Sequence, residues 1–202
     1  MIKKQDFFTT MNGAVKFLSD GYHTTGDAVY LAQFASVAKI KTALDVGIGT
    51  GGVALNLLAL RPEIKITGLD NNKKMLNTAA QNAALNGRKI ELVNADIFNW
   101  KTDRTFDAVI TNPPYFRGSP AAHGAHHNTN LTEWTRACLK RVRPRGHIFI
   151  IVDTLQMSEI VATLHVGGAH GITIQPIFNN SRVLIAARTG VKTGSKIITD
   201  WN

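Results

Sequence analysis

Residues 42–53 read Thr42-Ala43-Leu44-Asp45-Val46-Gly47-Ile48-Gly49-Thr50-Gly51-Gly52-Val53, and apolar residues at helical spacing continue to Leu60. The stretch predicts a buried strand that runs through a glycine turn into a helix. The free N–H groups and positive dipole end of such a helix favour an anionic ligand group. Working outward, the unit repeats. A strand over 64–69 delivers Asp70, and Asn71 and Asn72 cap a helix that runs to Asn86-Gly87. A third strand over 89–93 ends at Asn94-Ala95-Asp96-Ile97, and a fourth apolar run covers 106–110. A helix over 131–142, apolar at Leu131, Trp134, Cys138, Leu139 and Val142, leads through Arg143-Pro144-Arg145-Gly146 into a strand over 147–152. A helix near 155–166 and strands near 172–177 and 182–187 complete the pattern, and the last two strands are suited to an antiparallel hairpin. Strands alternating with helices give an α/β fold with a mostly parallel sheet of seven strands, expected to bind its ligand at the carboxyl ends of the strands.

The fourth apolar run ends in Thr111-Asn112-Pro113-Pro114-Tyr115-Phe116. Two adjacent prolines lack N–H donors and fix φ, so the chain leaves the sheet in a stiff turn. The amide oxygen of Asn112 and the carbonyl of Pro113 can both accept from one –NH2 group, and Tyr115 offers a flat face to a planar substrate. By itself the tripeptide Asn-Pro-Pro reads as a proline-punctuated loop. After an apolar strand, and some sixty residues beyond a glycine turn, it resembles the small-domain amino methyltransferases that carry Asn-Pro-Pro-Tyr and use S-adenosylmethionine. The resemblance implies a Rossmann-like class I methyltransferase fold, with Asn112, Pro113, Pro114 and Tyr115 at the target amino group.

Two ligands suit the glycine turn. Gly47, Gly49 and Gly52 fit Gly-x-Gly-x-x-Gly, with Asp70 at the distance expected for an acid on a ribose hydroxyl, so a nicotinamide cofactor and an NAD(P)-dependent oxidoreductase must be considered. Gly47, Gly49 and Gly51 equally fit the methyltransferase pattern, with Asp45 at the strand end. Asp45 would repel a pyrophosphate, whereas S-adenosylmethionine brings an ammonium and a sulfonium and no phosphate. In the resembling family the acid at Asp70, next to Asn71, holds both ribose hydroxyls, the acid at Asp96 binds the adenine amino group, and the backbone of Ile97 meets the ring. Residues 21–34, with Gly21-Tyr22 and Asp27-Ala28, resemble the entrance of the small transfer-RNA adenine methyltransferases, the tRNA1(Val) (adenine-N6) family, where this turn lies beside the cofactor. Asp27 can also cap the helix that follows. The family often has Arg where His23 stands.

Composition sets further limits. The chain has 202 residues, 44% of them hydrophobic, which suits a single domain over 1–202 with a leader at 1–20. The leader reads as strand or loop pieces at the domain edge, positioned to cover the active site. No apolar run is long enough for a membrane span, and Met1 to Asp6 lack a signal-peptide core, so a cytoplasmic location is expected. The single cysteine, Cys138, reads as a core residue. A net charge of +9 attracts polyanions and makes nucleic acid the favoured macromolecular partner. Lys140, Arg141, Arg143 and Arg145 form the densest positive cluster. It reads either as a helix end with cations against the dipole or as an RNA contact. Residues 117–130 read as a mobile loop over the target pocket. The loop holds His123, His126 and His127 without a carboxylate, so no metal site is assigned. Where related proteins have Ala-Arg, Ala125 is followed here by His126.

The reading is an S-adenosylmethionine-dependent N-methyltransferase acting on adenine N6 in tRNA, with no obligatory protein partner. Guanine N2 in ribosomal RNA and protein glutamine N5 are the alternatives within the class. Glutamine methyltransferases use the same tetrad, but their extra N-terminal helical domain does not fit in the short leader.

Overall fold

A computed structural model of the chain describes residues 7–19, 26–113 and 131–198. The strands are β1 (Phe7–Thr10), β2 (Val15–Leu18), β3 (Thr42–Val46), β4 (Lys65–Asp70), β5 (Glu91–Asn94), β6 (Phe106–Thr111), β7 (Val142–Asp153), β8 (Ala169–Ile177), β9 (Arg182–Thr189) and β10 (Lys196–Ile197). The α-helices are α1 (Gly26–Ser36), α2 (Gly52–Leu60), α3 (Lys73–Leu85), α4 (Leu131–Leu139) and α5 (Met157–Val166). Among the described residues the central sheet has eight strands in the order β10-β8-β9-β7-β6-β3-β4-β5. Only β9 runs against its neighbours, β7 and β8. The seven expected strands and the hairpin are present. The eighth, β10, adds two residues parallel to β8 and is too short to show a periodicity in the sequence.

Successive side chains of each strand face opposite ways. Ala43, Ala108, Ile110, Phe149 and Leu184 pack under Leu31 and Phe34 of α1 and Val53 and Leu57 of α2. Leu44, Val109, Ile148, Ile150 and Ile185 pack under Leu131 and Cys138 of α4 and Ile160 and Leu164 of α5. Burial on both faces is why these strands read as nearly continuous apolar runs. Cys138 is wholly buried, and burial raises its thiol above the usual range, so it is a core residue.

One sequence expectation changes and two gain detail. The segment 143–146 is not a turn ahead of a strand but an irregularity inside β7. Phe106 pairs with Val142 and Ala108 with His147, so Asp107 alone spans four residues. Arg145 turns the chain at φ 63°, and a Cβ on Gly146 would lie 2.9 Å from the carbonyls of Arg143 and Asp107. The basic cluster is at the amino edge of the sheet, and half of it is spent on structure. Arg141 donates to the carbonyls of Trp100 and Thr102 and lies over the Trp100 ring, while Arg143 pairs with Asp107. Finally, β1 and β2 form their own antiparallel hairpin, docked on α2 and α3 through Val15, Phe17, Leu55 and Ala83. Asn86 accepts from Lys16 N and donates to Lys16 O, and Asn82 accepts from Leu18 N at 2.9 Å.

Candidate active site

Strand register assembles the site. Val46 pairs with Leu69 on one side and Thr111 on the other, so the next residues, Gly47, Asp70 and Asn112, leave the sheet at one level. Asp70 in turn pairs with Asn94, which brings Asp96 to the same carboxyl edge. Between β3 and β6 the strand order reverses, and a crevice at such a point is where open α/β sheets bind ligands.

In the glycine turn the two spacings differ in conformation. Left-handed φ falls on Gly47 (73°), Gly49 (55°) and Gly51 (92°), values an L side chain rarely adopts, while Gly52 begins α2. Gly47 N and Ile48 N both donate to Leu69 O, which fastens the turn to β4. Gly68 of β4 lets Ile48 lie flat there, since a Cβ on Gly68 would stand 3.2 Å from Ile48 Cβ and collide with its tip.

Asp45 is 2% exposed, and its Oδ2 accepts from Ala54 N, in the first turn of α2, at 3.1 Å. One donor of the first turn of α2 is thus taken by the chain's own carboxylate, near the place where a dinucleotide would put its pyrophosphate. Burial pushes the Asp45 carboxyl up to about 7; the Ala54 N–H opposes that shift, and the neighbouring Asp70 charge adds to it. A ligand cation would favour its ionised form.

Asp70 is held rigidly. One oxygen accepts from Gly49 N at 2.9 Å and the other from Asn72 N at 2.8 Å, which leaves each oxygen a further lone pair toward the crevice. Asn72 alone caps α3, accepting from Lys74 N and Met75 N; Asn71 is exposed. Asp96 accepts from Phe98 N at 3.0 Å and so opens a turn over 97–99 rather than a helix. Ile97 is buried in the α4 and α5 side of the core, and Phe98 next to it is 43% exposed.

Asn112 is half-buried and Pro113 buried. Pro114 and Tyr115, like Tyr22, His23 and the three loop histidines, lie outside the described residues. Thr111, one step before Asn112, donates its hydroxyl to Val46 O at 2.9 Å and accepts from Trp134 Nε1 at 3.0 Å. Trp134 also lies under Gly47, 3.5 Å from where a Cβ would stand, and meets Phe98 edge to face at 6.1 Å. One indole therefore supports the glycine turn, the Asn112 strand end and the Asp96 turn together. In the sequence Trp134 shows only as an apolar helix position, although a buried indole N–H needing an acceptor is a signal in principle.

Asp27 is not the cap of α1 but a residue of its first turn. Its carboxylate pairs with Arg182 Nε at 3.5 Å, and Arg182 also reaches Asp153 at 3.3 Å. The structure thus ties Asp27 to the ends of β7 and β9. Among the described residues no group of three or more His, Cys, Asp or Glu is placed to hold a metal ion, and no helix is long and apolar enough to cross a membrane.

Residues 15–179 match the family described as Methyltransferase small domain. The chain is similar to a tRNA1(Val) (adenine(37)-N6)-methyltransferase of Vibrio cholerae serotype O1 (strain M66-2), 35% identical over 159 residues that cover 73% of this chain and 65% of that protein. It is 26% identical to a protein of the same name from Glaesserella parasuis serovar 5 (strain SH0165) over 154 residues, 72% of this chain and 66% of the relative. The aligned part thus spans just under two thirds of the length of these relatives. Among solved structures it is similar to a 16S rRNA N2 G1207 methyltransferase of T. thermophilus in complex with AdoMet and guanosine, with a TM-score of 0.70 and 15% identity, covering 92% of this chain and 50% of that one. An α/β sheet of this order, a turn of three left-handed glycines with its own buried acid, and a match over most of the length lead to one conclusion: the chain belongs to the methyltransferase small domain family.

Proposed function

We propose that the protein transfers a methyl group from S-adenosylmethionine to the exocyclic amino group of adenine N6 in a tRNA. The observation that carries the reading is the register at the β3–β6 switch point. Asn112 with Pro113 and the glycine turn emerge side by side, after the paired residues Thr111 and Val46. Asp45 supports the choice of cofactor, since a carboxylate seated on the α2 donor end suits a cation without phosphates and opposes a dinucleotide. Three carboxylates, Asp45, Asp70 and Asp96, gather at this edge, and the left-handed glycines leave no side chain between the backbone and a ligand. Those features fit the group.

When bound, S-adenosylmethionine supplies an electrophilic methyl on a sulfonium. Asp70 accepts from the ribose hydroxyls with the lone pairs left by Gly49 N and Asn72 N. Asp96 accepts from the adenine amino group of the cofactor. Asn112 Oδ1 and Pro113 O accept the two N–H bonds of the target amino group. Adenine N6 is a weak nucleophile because its lone pair is delocalised into the ring. Two acceptors that strengthen as the nitrogen becomes pyramidal favour the transition state, and orientation toward the methyl supplies much of the rest. A base paired inside a helix hides N6, so the substrate nucleotide is unpaired or flipped. A reaction on tRNA with this cofactor belongs in the cytoplasm.

Two measurements test this. S-adenosylhomocysteine should raise the melting temperature and NADH should not, since only a ligand of the native state stabilises it. Incubation with methyl-labelled cofactor and separated tRNA, ribosomal RNA, DNA and protein should label the tRNA, and N6-methyladenosine should be the modified nucleoside. Label in ribosomal RNA as N2-methylguanosine, or in protein, would replace the proposed substrate.

A further inference from the structure

Charge is divided between the two edges of the sheet. Asp45, Asp70 and Asp96 stand at the carboxyl edge, where the candidate active site lies, and Asp27 and Asp153 there are paired with Arg182. The amino edge of β7 and β9 carries Arg145 and Arg188, with Lys196 on β10 lining the same groove as Arg188. Arg143 is paired there with Asp107 of β6, whose carboxylate also accepts from the N–H groups of Lys41 and Thr42. Arg145, Arg188 and Lys196 thus offer a polyanion a cationic surface apart from the carboxylates of the catalytic edge.

A groove of about 270 Å³ opens at that edge, on the sheet face covered further up by α1. The helix ends at Ser36; its Phe34 forms one apolar wall, and Phe149 and Ala186 of the sheet form the floor. His147 stacks on Phe149 at 5.6 Å, and Arg188 and Lys196 flank the floor. Arg188 is exposed and donates to Arg145 O at 3.3 Å, which steadies its guanidinium along the strand. Burial, with Arg188 and Arg143 nearby, holds His147 below the usual range, so the imidazole adds a flat neutral surface and the two outer cations supply the charge. An apolar floor between exposed cations matches ribose on the floor and phosphate on the cations.

The groove and the proposed target site lie at opposite edges of the sheet. Ala108 lies opposite His147, and Asn112 follows four residues later, about 13 Å along a strand that is buried and covered by α1 and α2 on this face. A folded RNA that meets both must therefore pass round the covering helices. We propose that this groove binds the sugar–phosphate backbone of the RNA substrate away from the methylated base. The proposal rests on the RNA methyltransferase reading above.

The test uses the full chain and the RNA fraction that the wild type methylates. In the pair Arg188→Gln with Lys196→Gln, the slope of log affinity against log salt should fall by about 0.7–0.9 for each cation removed. KM for RNA should rise several-fold, while kcat at saturating RNA and affinity for S-adenosylhomocysteine stay at wild-type values. Arg188→Lys, which keeps the charge, should restore the slope. If the double variant does not fold, Lys196→Gln alone, on the exposed two-residue β10, should show the single-cation step. Wild-type slope and KM in a folded variant would overturn the groove while leaving the methyltransferase reading intact, and an acidic protein partner would then be the occupant to seek. A wild type that methylates no RNA would remove both.

Discussion

Asn112 and Asp70 sit at one level of the sheet but serve different ligands in the proposed reaction, so their substitutions should separate. Asn112→Ala removes the side-chain acceptor while Pro113 and Pro114 still stiffen the turn. Transfer should fall about 10²- to 10³-fold, by analogy with loss of one oxyanion-hole donor, with affinity for S-adenosylhomocysteine nearly unchanged. Near-normal turnover would reduce Asn112 to a turn residue. Asp70→Ala should weaken the cofactor product by about 1.5–3 kcal/mol in calorimetry, the scale of charged hydrogen bonds. Asp45 gives a pH prediction for the ligand-free protein. Its carboxyl, near 3.8 when unfolded, is raised to about 7 by burial, so the native state holds the extra proton between those values. Its stabilising contribution is complete below the unfolded value and is lost as pH rises through about 7, at up to about 1.4 kcal/mol per pH unit. Denaturant titrations from pH 4 to 8 should show this decline, and Asp45→Asn should flatten it.

At the level of elements, the site depends on contacts between segments that are distant in sequence. The glycine turn lies on β4 because Gly68 leaves room for Ile48, and it is held from the helix side by Asn82, which donates to Thr50 O at 2.9 Å and accepts from Leu18 N. The β1–β2 hairpin and the glycine turn thus share one buried amide. Gly68→Val should push Ile48 off β4 and distort the turn. The expected cost is about 1–3 kcal/mol in chemical denaturation, as for overpacking elsewhere, together with weakened S-adenosylhomocysteine binding. A variant with wild-type stability and affinity would show that the turn does not rest on this contact.

For the molecule as a whole, a net charge of +9 acts through its distribution. RNA affinity should fall steeply between about 50 and 200 mM salt as counterions are released from neutralised phosphates. Filter binding that stays flat over this range would argue for a substrate other than nucleic acid. Part of the positive charge is already engaged: the exposed Arg104 forms a two-point pair with Glu91, and Arg141 holds the carbonyls of Trp100 and Thr102. Those two guanidiniums are less available to a phosphate than unpaired ones.

The sequence determined the order of strands and helices, because periodicity and glycine or proline punctuation are local, and a parallel sheet buried on both faces writes itself as apolar runs. It also singled out Asp45, Asp70, Asp96 and Asn112, which lie at or just past strand ends and match the motifs of the resembling family. It misread 143–146 as a turn, because a bulge opposite Asp107 is set by what the backbone meets across the sheet. Trp134 showed only as an apolar helix residue and Asn82 gave no signal at all. Their roles are hydrogen bonds to Thr111 and to Thr50 and Leu18, partners 23 to 64 residues away. The basic cluster was visible as composition, yet only strand register and direction put it at the amino edge, away from the carboxylates. Local chemistry chooses elements; which edges and faces they share is decided by pairing across the sheet, and no local pattern encodes that.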